Sequence, residues 1–128
     1  MRCLPYKGTV TTMTQLEYAK RKIISPLMKK VAKIEGLSPQ LLCRGIREGT
    51  IVIPHNKNHR IAKPCGVGKG LRTKVNANIG TSTDKASVHE ELHKLNIAVA
   101  CGADTIMDLS VGGNICAIRK AILRKSAV

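Results

Sequence analysis

From Leu71 onward the sequence alternates strand-forming and helix-forming stretches with short links, which constrains the fold more than any other feature. Residues 71–79 read as a strand. A polar loop over 80–86 follows, and Ser87 with Glu90 three residues on has the pattern of a capping box. Val88, Leu92, Leu95 and Val99 then fall at i, i+4, i+7 and i+11, the apolar face of a helix that Gly102 ends. Thr105–Leu109 reads as a second buried strand. Gly112-Gly113 leads into a last helix with Ile115, Ile118 and Ile122 on one face. Two successive β/α units imply parallel strands with a right-handed crossover, and therefore an α/β fold. A parallel sheet needs both faces covered, so a third strand is expected beyond Val128.

The first half is different. Residues 14–24 read as a helix behind a Thr14 cap, with Leu16, Ala19 and Ile23 at helical spacing. Ser25-Pro26 and Ser38-Pro39 each place an N-cap before a proline at the first helical position. The helices they start run to Gly36 and to Gly49. Ile51-Val52-Ile53 is a short β-branched run halted by Pro54, and residues 54–70 read as loop. The expected organisation is an extension over 1–12 ahead of a native start at Met13, a basic helical segment and loop over 13–70, and the β/α part over 71–128.

Charge divides the chain at the same place. Residues 1–72 hold 15 Lys/Arg against 3 acids, whereas 73–128 hold 7 against 5. A basic half of this kind fits a solvated helical surface, with a polyanion or acidic-partner surface as the alternative. Phe and Trp are absent and Tyr occurs twice, which argues against nucleic acid read by base stacking. No stretch approaches the roughly 20 apolar residues of a membrane span, and the start lacks an apolar signal region. The five cysteines, at 3, 43, 65, 101 and 116, contain no C-x-x-C pair, so a reduced cytoplasmic chain is the expectation.

Three motifs carry possible chemistry. His89-Glu90-Glu91-Leu92-His93 matches the zinc-protease pattern H-E-x-x-H, yet neither His nor Glu follows position 93 to complete a metal site. It reads as the hydrated flank of an amphipathic helix. Gly66-Val67-Gly68-Lys69-Gly70 fits neither standard phosphate loop and precedes a strand, so it reads as a flexible connector. Lys74-Val75-Asn76-Ala77-Asn78-Ile79-Gly80 is more informative. Alternation puts Lys74, Asn76 and Asn78 on one face of the strand, near the end where β/α proteins bind ligands. The second strand ends similarly, in Met107-Asp108-Leu109-Ser110.

Four segments, Met13–Ala19 (MTQLEYA), Gly49–Pro54 (GTIVIP), Lys74–Ser82 (KVNANIGTS) and Gly102–Ser110 (GADTIMDLS), resemble the phosphomethylpyrimidine synthase family of thiamine biosynthesis. Their order and approximate spacing are also the family's. The resemblance covers residues 13–128, the N-terminal portion of such an enzyme. It implies a radical S-adenosylmethionine lyase that converts 5-aminoimidazole ribonucleotide to hydroxymethylpyrimidine phosphate. It further implies an eight-stranded β/α barrel, of which this chain carries a helical leader and the first two β/α units, and a homodimer. A relative, 5-hydroxybenzimidazole synthase of cobamide biosynthesis, uses the same substrate and is not separated by these residues.

Asn78 and Met107 match substrate-contacting residues of the family, and no catalytic residue or metal ligand is assigned. The resemblance implies a [4Fe-4S] cluster, S-adenosylmethionine and zinc. The cluster ligands form C-x-x-C-x-x-x-x-C near the family's C-terminus, a spacing that none of the five cysteines has, so this chain alone is expected to be inactive. His89 and His93 match no metal ligand of the family. Pro54-His55-Asn56-Lys57-Asn58-His59 and Val111 depart from its usual pattern.

Overall fold

Two Ser-Pro pairs start helices where the sequence places them. In the computed structural model, which describes residues 13–56 and 61–128, α1 spans Gln15–Lys20, α2 Pro26–Glu35 and α3 Pro39–Arg47. Ser25 Oγ accepts from the Met28 amide at 3.1 Å, and Ser38 Oγ from the Leu41 amide at 3.2 Å. The complete capping box belongs to α1. Thr14 Oγ1 accepts from the Glu17 amide at 3.2 Å, and the Glu17 carboxylate accepts from the Thr14 amide at 2.6 Å. This helix stops at Lys20, short of the expected residue 24. Lys22 enters the left-handed region at φ 59°, and the Ile23 amide turns back to the Tyr18 carbonyl at 2.9 Å.

Ala19, Met28, Val31, Ala32, Leu42, Cys43 and Ile46 form the core of this region, joined by Ile51 and Ile53. Ile51 begins β1, Ile51–Val52, which pairs antiparallel with β2, Val67–Gly68. The glycine-rich connector is therefore a paired strand. Gly68 makes the pairing possible, because a Cβ there would lie 2.2 Å from the Thr50 carbonyl oxygen.

The second half follows the strand–helix alternation, with β3 at Asn76–Ile79, α4 at Val88–Ala100, β4 at Thr105–Asp108 and α5 at Ile115–Lys125. β3 and β4 are parallel, with Asn76 opposite Thr105 and Asn78 opposite Met107. One face of the pair packs on α4 and α5 through Ile79, Leu95, Ile118 and Ile122. The other face is open, so the expectation of strands buried on both sides fails among the described residues. Ser87 caps α4 through the Glu90 amide at 3.4 Å. Val88 stays exposed, whereas Glu91 is buried.

The first of these strands starts later than Leu71. The Arg72 amide is drawn to the Glu35 carboxylate at 3.0 Å, and Lys74 Nζ lies 2.6 Å from Glu35 Oε1. The segment before Asn76 is thereby committed to α2 rather than to a neighbouring strand. Asp104 binds the Arg72 guanidinium and accepts from the Val75 amide at 2.9 Å, bracing the start of both strands. Among the described residues no helix is long and apolar enough to cross a membrane. The extension over 1–12, and Lys57, Asn58 and His59 of the departing hexapeptide, lie outside the described residues.

Candidate functional site

The open face of the β3–β4 pair carries a row of polar side chains ending beside a methionine. Thr105 Oγ1 donates to Asn76 Oδ1 at 2.7 Å, and Asn76 Nδ2 donates to Asn78 Oδ1 at 2.9 Å. Asn78 Nδ2 ends the row with its donors uncommitted among the described residues. Its register partner, Met107, is 48% exposed beside it. The two residues singled out from sequence are thus brought side by side on one face.

Lys74 does not join them. Its side chain is 6% exposed and paired with Glu35, which is 1% exposed, on the path to α2. Thr105 takes its place in the row. The only signal that could have found Thr105 is the parallel register, which aligns T-I-M-D with N-A-N-I.

The ends of the strands are locked together by their following loops. Leu109 N–H donates to the Ile79 carbonyl at 2.8 Å, and Val111 N–H to the Thr81 carbonyl at 3.0 Å. The buried Thr81 hydroxyl donates to the Gly112 carbonyl at 2.7 Å, and Ser110 Oγ accepts from the Thr81 amide at 3.2 Å. Gly112 is required here, since a Cβ would meet the Ser82 carbonyl oxygen at 1.9 Å. Asp108 anchors this platform to α5 through Arg119 Nε at 3.1 Å and accepts from the Ser110 amide at 3.0 Å. Burial pushes the Asp108 carboxyl up, but the Ser110 hydroxyl and amide and Arg119 outweigh it and hold the group below the usual range. The Arg72 guanidinium likewise holds Asp104 low.

This arrangement suits binding. The chemistry available is that of an amide N–H₂, able to donate to a ring nitrogen, hydroxyl or phosphate oxygen, beside an exposed thioether, able to pack on an apolar or aromatic surface. The row itself contains no acid or base. His89, Glu90 and His93 lie exposed on α4, and among the described residues no three His, Cys, Asp or Glu side chains gather as a metal group. Glu91, which sequence reasoning passed over, is the buried acid of that stretch. Its Oε1 accepts from Lys94 Nζ at 2.6 Å, and Lys94 also reaches the Gly80 carbonyl at 3.4 Å.

The Radical SAM ThiC family matches residues 14–128, nearly the whole chain. The chain belongs to this family. It is 57% identical over 116 residues to the phosphomethylpyrimidine synthase of Dehalococcoides mccartyi (strain CBDB1), covering 91% of this chain and 27% of that protein. The phosphomethylpyrimidine synthase of Geobacter metallireducens is 54% identical over 113 residues, covering 88% and 26%. That of Pyrococcus furiosus is 54% identical over 112 residues, covering 88% and 26%. The chain spans about a quarter of the length of these curated relatives and corresponds to their N-terminal part.

A radical SAM family implies S-adenosylmethionine and an iron–sulfur cluster, the latter held by converging cysteine thiolates. The described cysteines do not fit that requirement. Cys43 is buried in the helical core, Cys65 lies half-buried in a loop, and Cys101 and Cys116 are exposed on the β/α side. Among the described residues these thiols belong to no group of three or more His, Cys, Asp or Glu side chains placed to share a metal ion.

Proposed function

We propose that this chain forms part of the substrate-binding wall of a phosphomethylpyrimidine synthase. The reaction is the conversion of 5-aminoimidazole ribonucleotide to hydroxymethylpyrimidine phosphate by a cytoplasmic homodimer, in a radical lyase reaction of thiamine biosynthesis. In this reading β3 and β4 are the first two strands of an eight-stranded barrel. The open face looks into its interior, Asn78 donates a hydrogen bond to the substrate, and Met107 packs against it. Cluster, zinc and catalytic groups come from residues outside this chain. The observation that carries the reading is the register pairing of Asn78 with Met107 on the uncovered face.

A chimera tests it. Residues 14–128 replace the matching stretch of the Dehalococcoides mccartyi relative, and the protein is reconstituted anaerobically with iron and sulfide. Hydroxymethylpyrimidine phosphate is the expected product. Formation of 5-hydroxybenzimidazole would move the chain to the cobamide branch, and a folded, cluster-loaded chimera without product would contradict the reading. The 128-residue chain alone is expected to release no 5′-deoxyadenosine above background.

A further inference from the structure

Three helices of the N-terminal region end in the same way, with the chain entering the left-handed conformation just past the last turn. Two of the three use glycine there, Gly36 at φ 68° and Gly49 at φ 75°. After α1 the position is Lys22, at φ 59°. A β-carbon is strained in this conformation, so lysine is the least economical of the three choices for the backbone. What lysine adds is a cationic side chain in the lining of a cavity.

That cavity is an open pocket of about 300 Å³ between the link from α1 to α2 and helix α3. Lys22, Arg44 and Arg47 line it, over an apolar floor of Ile24, Leu41 and Cys43. Lys22 and Arg47 have no carboxylate partner among the described residues, and the acid nearest Arg44 is Glu48, at 4.0 Å from Nε and itself exposed. Arg44 and Arg47 lie in the last turn of α3, whose carbonyl end offsets part of their charge, and with Lys22 they leave the lining net positive, which a bound anion would complement. The apolar floor is what distinguishes the cavity from an ordinary basic surface.

We propose that this cavity binds a small organic anion whose phosphate, sulfonate or carboxylate lies between Lys22, Arg44 and Arg47 while its apolar body rests on Ile24, Leu41 and Cys43. The site lies in the helical region, apart from the β3–β4 face, and is independent of the function proposed above. It also gives the uneven charge of the chain a local purpose.

The full 128-residue chain titrated with 1-naphthyl phosphate provides the test. The chain has no tryptophan, so naphthyl fluorescence reads binding directly. Saturable one-to-one binding is expected, at least about tenfold tighter than inorganic phosphate or 1-naphthol, because charge-assisted hydrogen bonds and the apolar floor act together. The exposed pair Arg44→Gln/Arg47→Gln is expected to weaken it about tenfold. Lys22→Gly is expected to weaken it while leaving Tm unchanged or raised, which separates the ligand role from a structural one. Absence of saturation, naphthol binding as tightly as the phosphate ester, or full affinity in the Arg44→Gln/Arg47→Gln variant would overturn the proposal.

Discussion

Among the described residues the helical region gathers nine buried apolar side chains into its core, whereas the β/α region gathers four. The helical core closes around Met28 and Leu42, both fully buried, with α1, α2, α3 and β1 all contributing. The β/α core covers only one face of its two strands. The difference separates two tasks. The region with the fuller core has capped helices that set its shape, and the region with the thinner core presents the polar row of Thr105, Asn76 and Asn78. Glu35–Lys74 joins the two, tying the segment just before β3 to α2 of the closed core.

The largest effect is expected at that junction. Lys74→Met leaves the Glu35 carboxylate buried without its cation, which should cost about 3–5 kcal/mol in urea denaturation. Replacing both partners with apolar residues, Lys74→Met with Glu35→Leu, should recover most of it. A single substitution without cost would show that the two regions are not coupled through this pair. Next comes Leu42→Ala, expected to cost about 2–5 kcal/mol by opening a cavity in the helical core. Hydrogen exchange should then show α2 and α3 losing protection before α4 and α5. Gly112→Ala forces the two strand-end loops apart and should cost about 1–3 kcal/mol.

A smaller, pH-dependent effect belongs to the β/α region. Asp104 and Asp108 both titrate below the usual carboxylate range when folded. Their stabilisation is therefore present above the unfolded value of about 3.9 and is lost as pH falls through that value toward the folded one. Thermal melts should decline as pH drops below about 4. Asp104→Asn should start less stable and decline less over the same interval; an unchanged acid profile would remove Asp104 from this role.

Much of the architecture was legible in the sequence because its signals are local. Ser25-Pro26 and Ser38-Pro39 announce α2 and α3, and the helical spacing of Leu92, Leu95 and Val99 announces α4. What escaped depends on partners distant in the chain. Whether Lys74 faces the site or α2 is decided by Glu35, which no spacing around Lys74 reveals. β2 is only two residues long, too short for alternation to register, and it exists because Gly68 lets the chain approach Thr50. The end of α1 at Lys20 was hidden because a lysine occupies a position where glycine is the usual marker. At the candidate site, Asn78 and Met107 could be named from their motifs, whereas Thr105 emerged only once the strands were aligned.

The most direct measurement compares Asn78→Ala with its parent in the chimera, following both thermal stability and the kinetics of hydroxymethylpyrimidine phosphate formation. Asn78 is exposed and its side chain supports no core contact, so folding stability should change by no more than about 0.5 kcal/mol. If the open face is the substrate wall, turnover at low substrate should nevertheless fall by about tenfold or more, the loss of a well-placed hydrogen bond. Parental kcat and KM at unchanged stability would contradict the central claim and return Asn78 to the surface of the fold.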